Sequence, residues 1–299
     1  MTEQAALPNR ALSIKQEQEV LNMFSDALET ANDYCRPIKT ISRVYKSEEI
    51  IPQTATMFFV NGEGTAVTSR KVAEEIMCAG KLNAKYESFK KERDSIPGEY
   101  NIRIETNRME RRYGYNKGET KIQLRYNFSR CFEKIERLGV ELHPTMDVAL
   151  IRFNGFGTPL FHSHCSFSKA LKKPRVGMSI CRLGFPVTEF TDFAYFRERD
   201  DIQWTTSGIH TVNSYPADGM IVEVRRNEEG RPVSFAVTGL PARGFCGAPV
   251  LDATGVLIGM VSGTAEKIID GEKVTYTECV SADCIRSFLQ EKNIAYFEA

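Results

Sequence analysis

From residue 55 onward the chain is cut into short apolar runs bounded by turn residues, the pattern of strands rather than helices. Met57-Phe58-Phe59-Val60 runs into Asn61-Gly62, a dipeptide suited to a tight hairpin turn, and Gly64-Thr65-Ala66-Val67-Thr68 supplies the return strand. Val148–Phe153 is another strand, followed by Asn154-Gly155. Further candidates lie at 176–184, 202–211, 219–226, 233–238, 248–252, 256–262 and 273–280. Many short strands with Gly- and Asp-containing turns predict a mostly β chain, as a barrel or sandwich. Helices are expected only at the ends. Val20, Phe24, Leu28 and Ala31 recur at helical spacing within 12–33, and Asn32-Asp33 and Pro37 mark the stop. Residues 282–292 form the closing helix, with Ser281 as its N-cap.

Residues 80–137 interrupt this regularity with 15 Lys/Arg against 9 Asp/Glu. Asn101–Thr106 and Lys121–Asn127 alternate enough to predict a hairpin across Asn116-Lys117-Gly118. Arg111 and Arg112 beside Tyr113 and Tyr115 put cations and rings together, as a nucleic-acid or anionic-membrane contact would. A solvated insertion of mixed charge is the expected reading, and nucleic acid is not the expected partner. The whole chain carries 39 basic and 39 acidic residues, so its net charge of zero directs it to no class of partner. With 42% hydrophobic residues it can bury a real core.

No basic region followed by an apolar run opens the sequence, and no apolar stretch approaches the ~18 residues of a membrane span, so a cytoplasmic location is expected. Eight scattered cysteines then read as free thiols. No CxxC pair occurs, and His162-Ser163-His164-Cys165 lacks a second ligand cluster, so neither metal nor cofactor is expected.

Gly244-Phe245-Cys246-Gly247-Ala248-Pro249 is the most informative stretch. A nucleophile at Cys246 needs backbone that can aim N–H groups at a developing oxyanion, and a glycine two residues earlier permits that path. The strand from Pro249 turns at Thr254-Gly255 into Val256–Gly263, so a glycine-lined cysteine is flanked by two strands.

These residues resemble the trypsin-like peptidases of the chymotrypsin fold, whose nucleophile motif is Gly-Asp-Ser-Gly-Gly-Pro; cysteine at that place also resembles viral cysteine proteases of the same fold. Other landmarks follow in order. Phe58–Val72 resembles the family's hairpin before its catalytic histidine, and Asp147-Val148-Ala149-Leu150-Ile151 resembles its catalytic aspartate and the strand after it. Gly184-Phe185-Pro186, Thr206-Ser207-Gly208 and Val261-Ser262-Gly263 resemble successive features of its second barrel. The resemblance covers about 50–290. It implies two six-stranded antiparallel β-barrels, divided here as an N-terminal helical segment (1–45), a first barrel (46–160) and a second barrel with the C-terminal helix (161–299).

It also implies roles. Cys246, Asp147 and Lys71 fall at the catalytic positions, the amides of Gly244 and Cys246 at the oxyanion hole, and Leu240, Ser262, Gly263 and Thr264 along the substrate. Lys71 stands where the family has histidine. An imidazole takes the nucleophile's proton near neutral pH and returns it to the leaving amine. Lysine ionises near ~10.4 and is no base at pH 7 unless strongly desolvated. Arg70, one residue earlier, is no better a base. The expectation is a catalytically altered or inactive peptidase homologue that binds peptide or protein. The alternatives are an active cysteine endopeptidase using Cys246 with Lys71 and Asp147, and an adaptor acting through 80–137.

Overall fold

The computed structural model describes residues 24–169, 173–239 and 243–299. Helix α1 (Ser25–Tyr34) leads without a break into β1 (Cys35–Val44). The expected helical segment to residue 45 therefore ends at 34, and its part before residue 24 lies outside the described residues. The cause is visible in β1 itself. Its residues Cys35–Arg43 are all buried, and one face carries Lys39, Ile41 and Arg43, so charge broke the apolar alternation that would have revealed a strand.

The first unit is a six-stranded antiparallel sheet. It contains β1, β2 (Ile51–Phe59), β3 (Thr65–Thr68), β4 (Lys121–Phe128), β5 (Arg137–Leu142) and β6 (Ala149–Asn154), in the order β4-β1-β2-β3-β6-β5. It curls as a half-barrel with β4 and β5 at its ends, and the short β7 (Ser166–Phe167) follows it. The second unit closes completely. Its order is β11-β12-β15-β14-β13-β8, with β8 (Ser179–Gly184), β11 (Tyr215–Arg226), β12 (Pro232–Val237), β13 (Pro249–Leu251), β14 (Leu257–Ile269) and β15 (Glu272–Ser281). The mostly β class with two six-stranded antiparallel units is thus the observed architecture. One apolar core, including Phe58, Phe59, Leu150, Phe153, Leu183, Leu251 and Met260, runs from the first sheet into the second barrel. Helix α4 (Ala282–Glu291) starts at Ser281, whose side chain caps the Asp283 amide, and packs Ile285, Phe288 and Leu289 into that core.

The region between β3 and β4 departs from expectation. It contains two helices, α2 (Arg70–Asp94) and α3 (Ile102–Tyr113), where a hairpin through 101–106 was predicted. Local caps decide the outcome: the Asn101 side chain accepts from the Arg103 and Ile104 amides, and Gly114 ends α3 in the left-handed region. Tyr45, Tyr86, Phe89, Met109, Tyr115 and Ile122 make a separate small core beneath these helices. Tyr115 is therefore buried, while Tyr113 and Arg112 both bond Glu92, so the cation–ring cluster is largely spent on internal contacts.

Between β8 and β11 of the second unit the chain forms a hairpin of β9 (Phe193–Phe196) and β10 (Asp201–Trp204), whose β10 lies against β1 and β4 of the first sheet. The strand expected over 202–211 stops at Trp204. Lys39 Nζ lies 2.8 Å from Asp192 Oδ2, and the two side chains are 1% and 5% exposed. The Phe190 and Trp204 rings flank the same ammonium. Truncating one member of such a pair strands a buried charge at a cost of about 3–5 kcal/mol, whereas removing both restores an apolar contact. Asp192→Ala is expected to lose about that much stability in chemical denaturation, and Lys39→Met with Asp192→Leu to recover most of it.

Candidate active site

The turn 244–247 is wedged between the two units. Gly244 (φ +92°) packs on the Phe185 carbonyl and Gly247 (φ +87°) on the Thr56 carbonyl, each so closely that a Cβ would overlap the oxygen. Thr56 of β2 holds the turn with two bonds: its amide donates to Cys246 O at 2.9 Å and its hydroxyl to Gly244 O at 2.6 Å. Thr68 Oγ1 in turn donates to Thr56 O at 2.7 Å, and Thr54 Oγ1 to Phe185 O at 2.6 Å. On the other side the Gly247 amide bonds Val261 O of β14. Cys246 is thereby fixed, half-buried, at the junction. Gly244→Ala combines a forbidden φ with a steric clash and is expected to cost at least about 2 kcal/mol, read as a lowered denaturation midpoint.

Asp147 and Lys71 meet beside it. The Asp147 Oδ1 accepts from the Lys71 amide at 3.1 Å, in the first turn of α2. Lys71 Nζ lies 3.9 Å from Asp147 Oδ2, and its side chain is 72% exposed. The same ammonium lies over Gly263, 3.4 Å from where a Cβ would stand. Burial pushes the Cys246 thiol pKa up; the Asp147 carboxylate adds to that, and Lys71 only opposes it. Burial also raises the Asp147 carboxyl, against the opposing pull of the Lys71 amide and ammonium. Its Oδ2 is buried with no hydrogen-bond partner.

A carboxyl raised on folding is disfavoured in its ionised form. The resulting penalty is absent below the unfolded pKa, about 3.9, and grows as pH rises through the higher folded value. Asp147→Asn keeps the acceptor without the charge and is expected to be at least as stable as the parent at pH 7, the difference vanishing near pH 3. Asp147→Ala loses the helix-terminal acceptor and should cost about 1 kcal/mol. Denaturation at the two pH values separates these effects.

The four histidines are engaged away from Cys246. The His143 Nδ1 accepts from the Thr145 and Met146 amides, and its ring packs on Phe288. His162 is solvent-exposed beside Asp33, His164 packs on Phe297, and His210 is held by Asp192. None contributes to the electrostatics at Cys246. Arg70 is bound to Glu74 and to the carbonyls of His143 and Pro144.

Among the described residues no acceptor takes the amides of Gly244 or Cys246. Ser262 is buried at a bulge, its hydroxyl on Glu278 O; Gly263 and Thr264 follow on β14, and Leu240 lies outside the described residues. No group of three metal-ligating side chains occurs among the described residues. Sequence reasoning missed Thr54 and Thr56. Their signal was two threonines at the period of a strand, on one face of an otherwise apolar run.

No protein-family model matches the sequence, and no curated protein matches it. Among solved structures the chain is similar to the Rv3671c protease from M. tuberculosis in its active form, with a TM-score of 0.46 and 13% identity over 99% of this chain and 94% of that one.

Proposed function

We propose that this is a peptidase-fold protein that binds peptide or protein segments beside Cys246 without cleaving them. The observation that carries the reading is the neighbourhood of the thiol: a carboxylate and an exposed ammonium, with no imidazole. Amide hydrolysis needs one group to take the nucleophile's proton and give it to the leaving amine. A side chain 72% exposed to water lacks the desolvation a lysine base requires. A thiol whose pKa is raised supplies little thiolate at neutral pH.

The backbone around the thiol keeps the features a peptide would use. The Gly244 and Cys246 amides have no acceptor among the described residues. Beyond Val261, β14 pairs with β15 on one side, whereas its pairing with β13 ends at Met260. An extended peptide can add to such an edge through main-chain bonds.

Incubation with a broad peptide library is expected to give no turnover that depends on Cys246. Cleavage that disappears in Cys246→Ala would establish the active cysteine endopeptidase instead. Cys246 should also alkylate with iodoacetamide no faster at pH 7 than a free cysteine, with its rate rising only at higher pH. A fast, low-pH reaction would show that Lys71 holds a thiolate and would overturn the reading.

A further inference from the structure

We propose that the surface beside Cys246 recognises a carboxylate, and that its ligand is the free C-terminus of a peptide or protein chain; the inference rests on the peptide-binding reading above. Three groups lie in the neighbourhood of Cys246. The amides of Gly244 and Cys246 are donors with no acceptor among the described residues. Their backbone is held by Thr56 and by close approach to Phe185, so they are fixed before any ligand arrives. Lys71 brings an ammonium over Gly263, on the strand edge where a peptide would lie.

Within the chain that ammonium makes one long ion pair. Its acidic neighbour Asp147 stands at 3.9 Å, longer than a hydrogen bond, and the other Asp147 oxygen is already taken by the Lys71 amide. Two fixed N–H donors and one cation suit a group with two acceptor oxygens and a single negative charge. A mid-chain peptide offers the ammonium no charge. A phosphate dianion would bring a second charge against Asp147, with no further cation at Cys246 to balance it. A terminal carboxylate satisfies all three groups without a covalent step.

The test uses the full chain and a random peptide pool. Peptides enriched from a pool with free C-termini are resynthesised with either a carboxylate or an amide end, and binding is measured by fluorescence polarisation. The free acid is expected to bind at least about tenfold more tightly. Lys71→Gln should bring it down to the level of the amide, Lys71→Arg should retain a preference, and Lys117→Gln, an exposed lysine remote from Cys246 in sequence, should leave it unchanged. Equal binding of acid and amide would overturn the carboxylate inference and leave the peptide-binding reading standing. So would a preference that survives Lys71→Gln. Failure of every peptide to bind, acid or amide, would remove the peptide-binding reading and this inference with it.

Discussion

The geometry at Cys246 depends on one residue of the first sheet. Thr56 uses its amide, its hydroxyl and its carbonyl in the same place: the amide and hydroxyl hold the carbonyls of Cys246 and Gly244, and the carbonyl takes Thr68 while pressing on Gly247. Each such bond contributes only about 1 kcal/mol net. Their joint effect is positional, because the turn belongs to the second barrel and Thr56 to the first sheet. The two glycines follow from this clasp. No side chain fits where backbone meets backbone, and both sites need a φ that L residues avoid.

A second set of contacts ties the β9–β10 hairpin of the second unit to the first sheet, and it is ionic. Lys39 meets Asp192, Arg43 meets Asp200, and Arg125 meets Asp201, all along the strap of β9 and β10. The buried Lys39–Asp192 pair is a poor source of stability, since desolvation offsets most of the attraction, and the partly exposed pairs contribute little. They do specify where the strap lies, because any shift leaves a charge unpaired. The same accounting applies to the basic stretch 80–137. Lys90 donates to Arg199 O, Lys121 meets Glu75, and Arg112 meets Glu92, so much of its positive excess is spent holding helices α2 and α3 in place.

The second barrel was legible in sequence because its strands alternate and its turns carry glycine; β11 to β15 begin within a few residues of their expected positions, apart from the earlier start of β11. The β2–β3 hairpin was legible for the same reason, and so was α4 through its Ser281 cap. What escaped was structure whose polar residues face inward. β1 hid behind Lys39 and Arg43, and α3 looked like a strand because Ile102, Ile104 and Thr106 alternate, which masked the Asn101 cap at the start of the run, while the C-cap Gly114 lies beyond it. The candidate site was legible where backbone chemistry dictates glycine. It was not legible where tertiary contact alone gives a residue its role, as for Thr56. Nor did the motif reveal that Lys71 opens a 25-residue helix, with Asp147 bonded to its backbone rather than to a catalytic base.

That last exchange shows how position and activity can separate in such a fold. The amides of Gly244 and Cys246 are backbone groups, fixed by the clasp and indifferent to most side-chain substitutions. Proton transfer to and from a thiol would depend on a side chain, and a lysine facing water is poorly suited to supply it. On the reading proposed above, the site still attracts negative charge, and that charge arrives with the ligand. On the same reading Lys71 does more than stand where a base would. It sets a cation beside backbone donors, and the occupant that suits both is a stable carboxylate rather than a reacting amide.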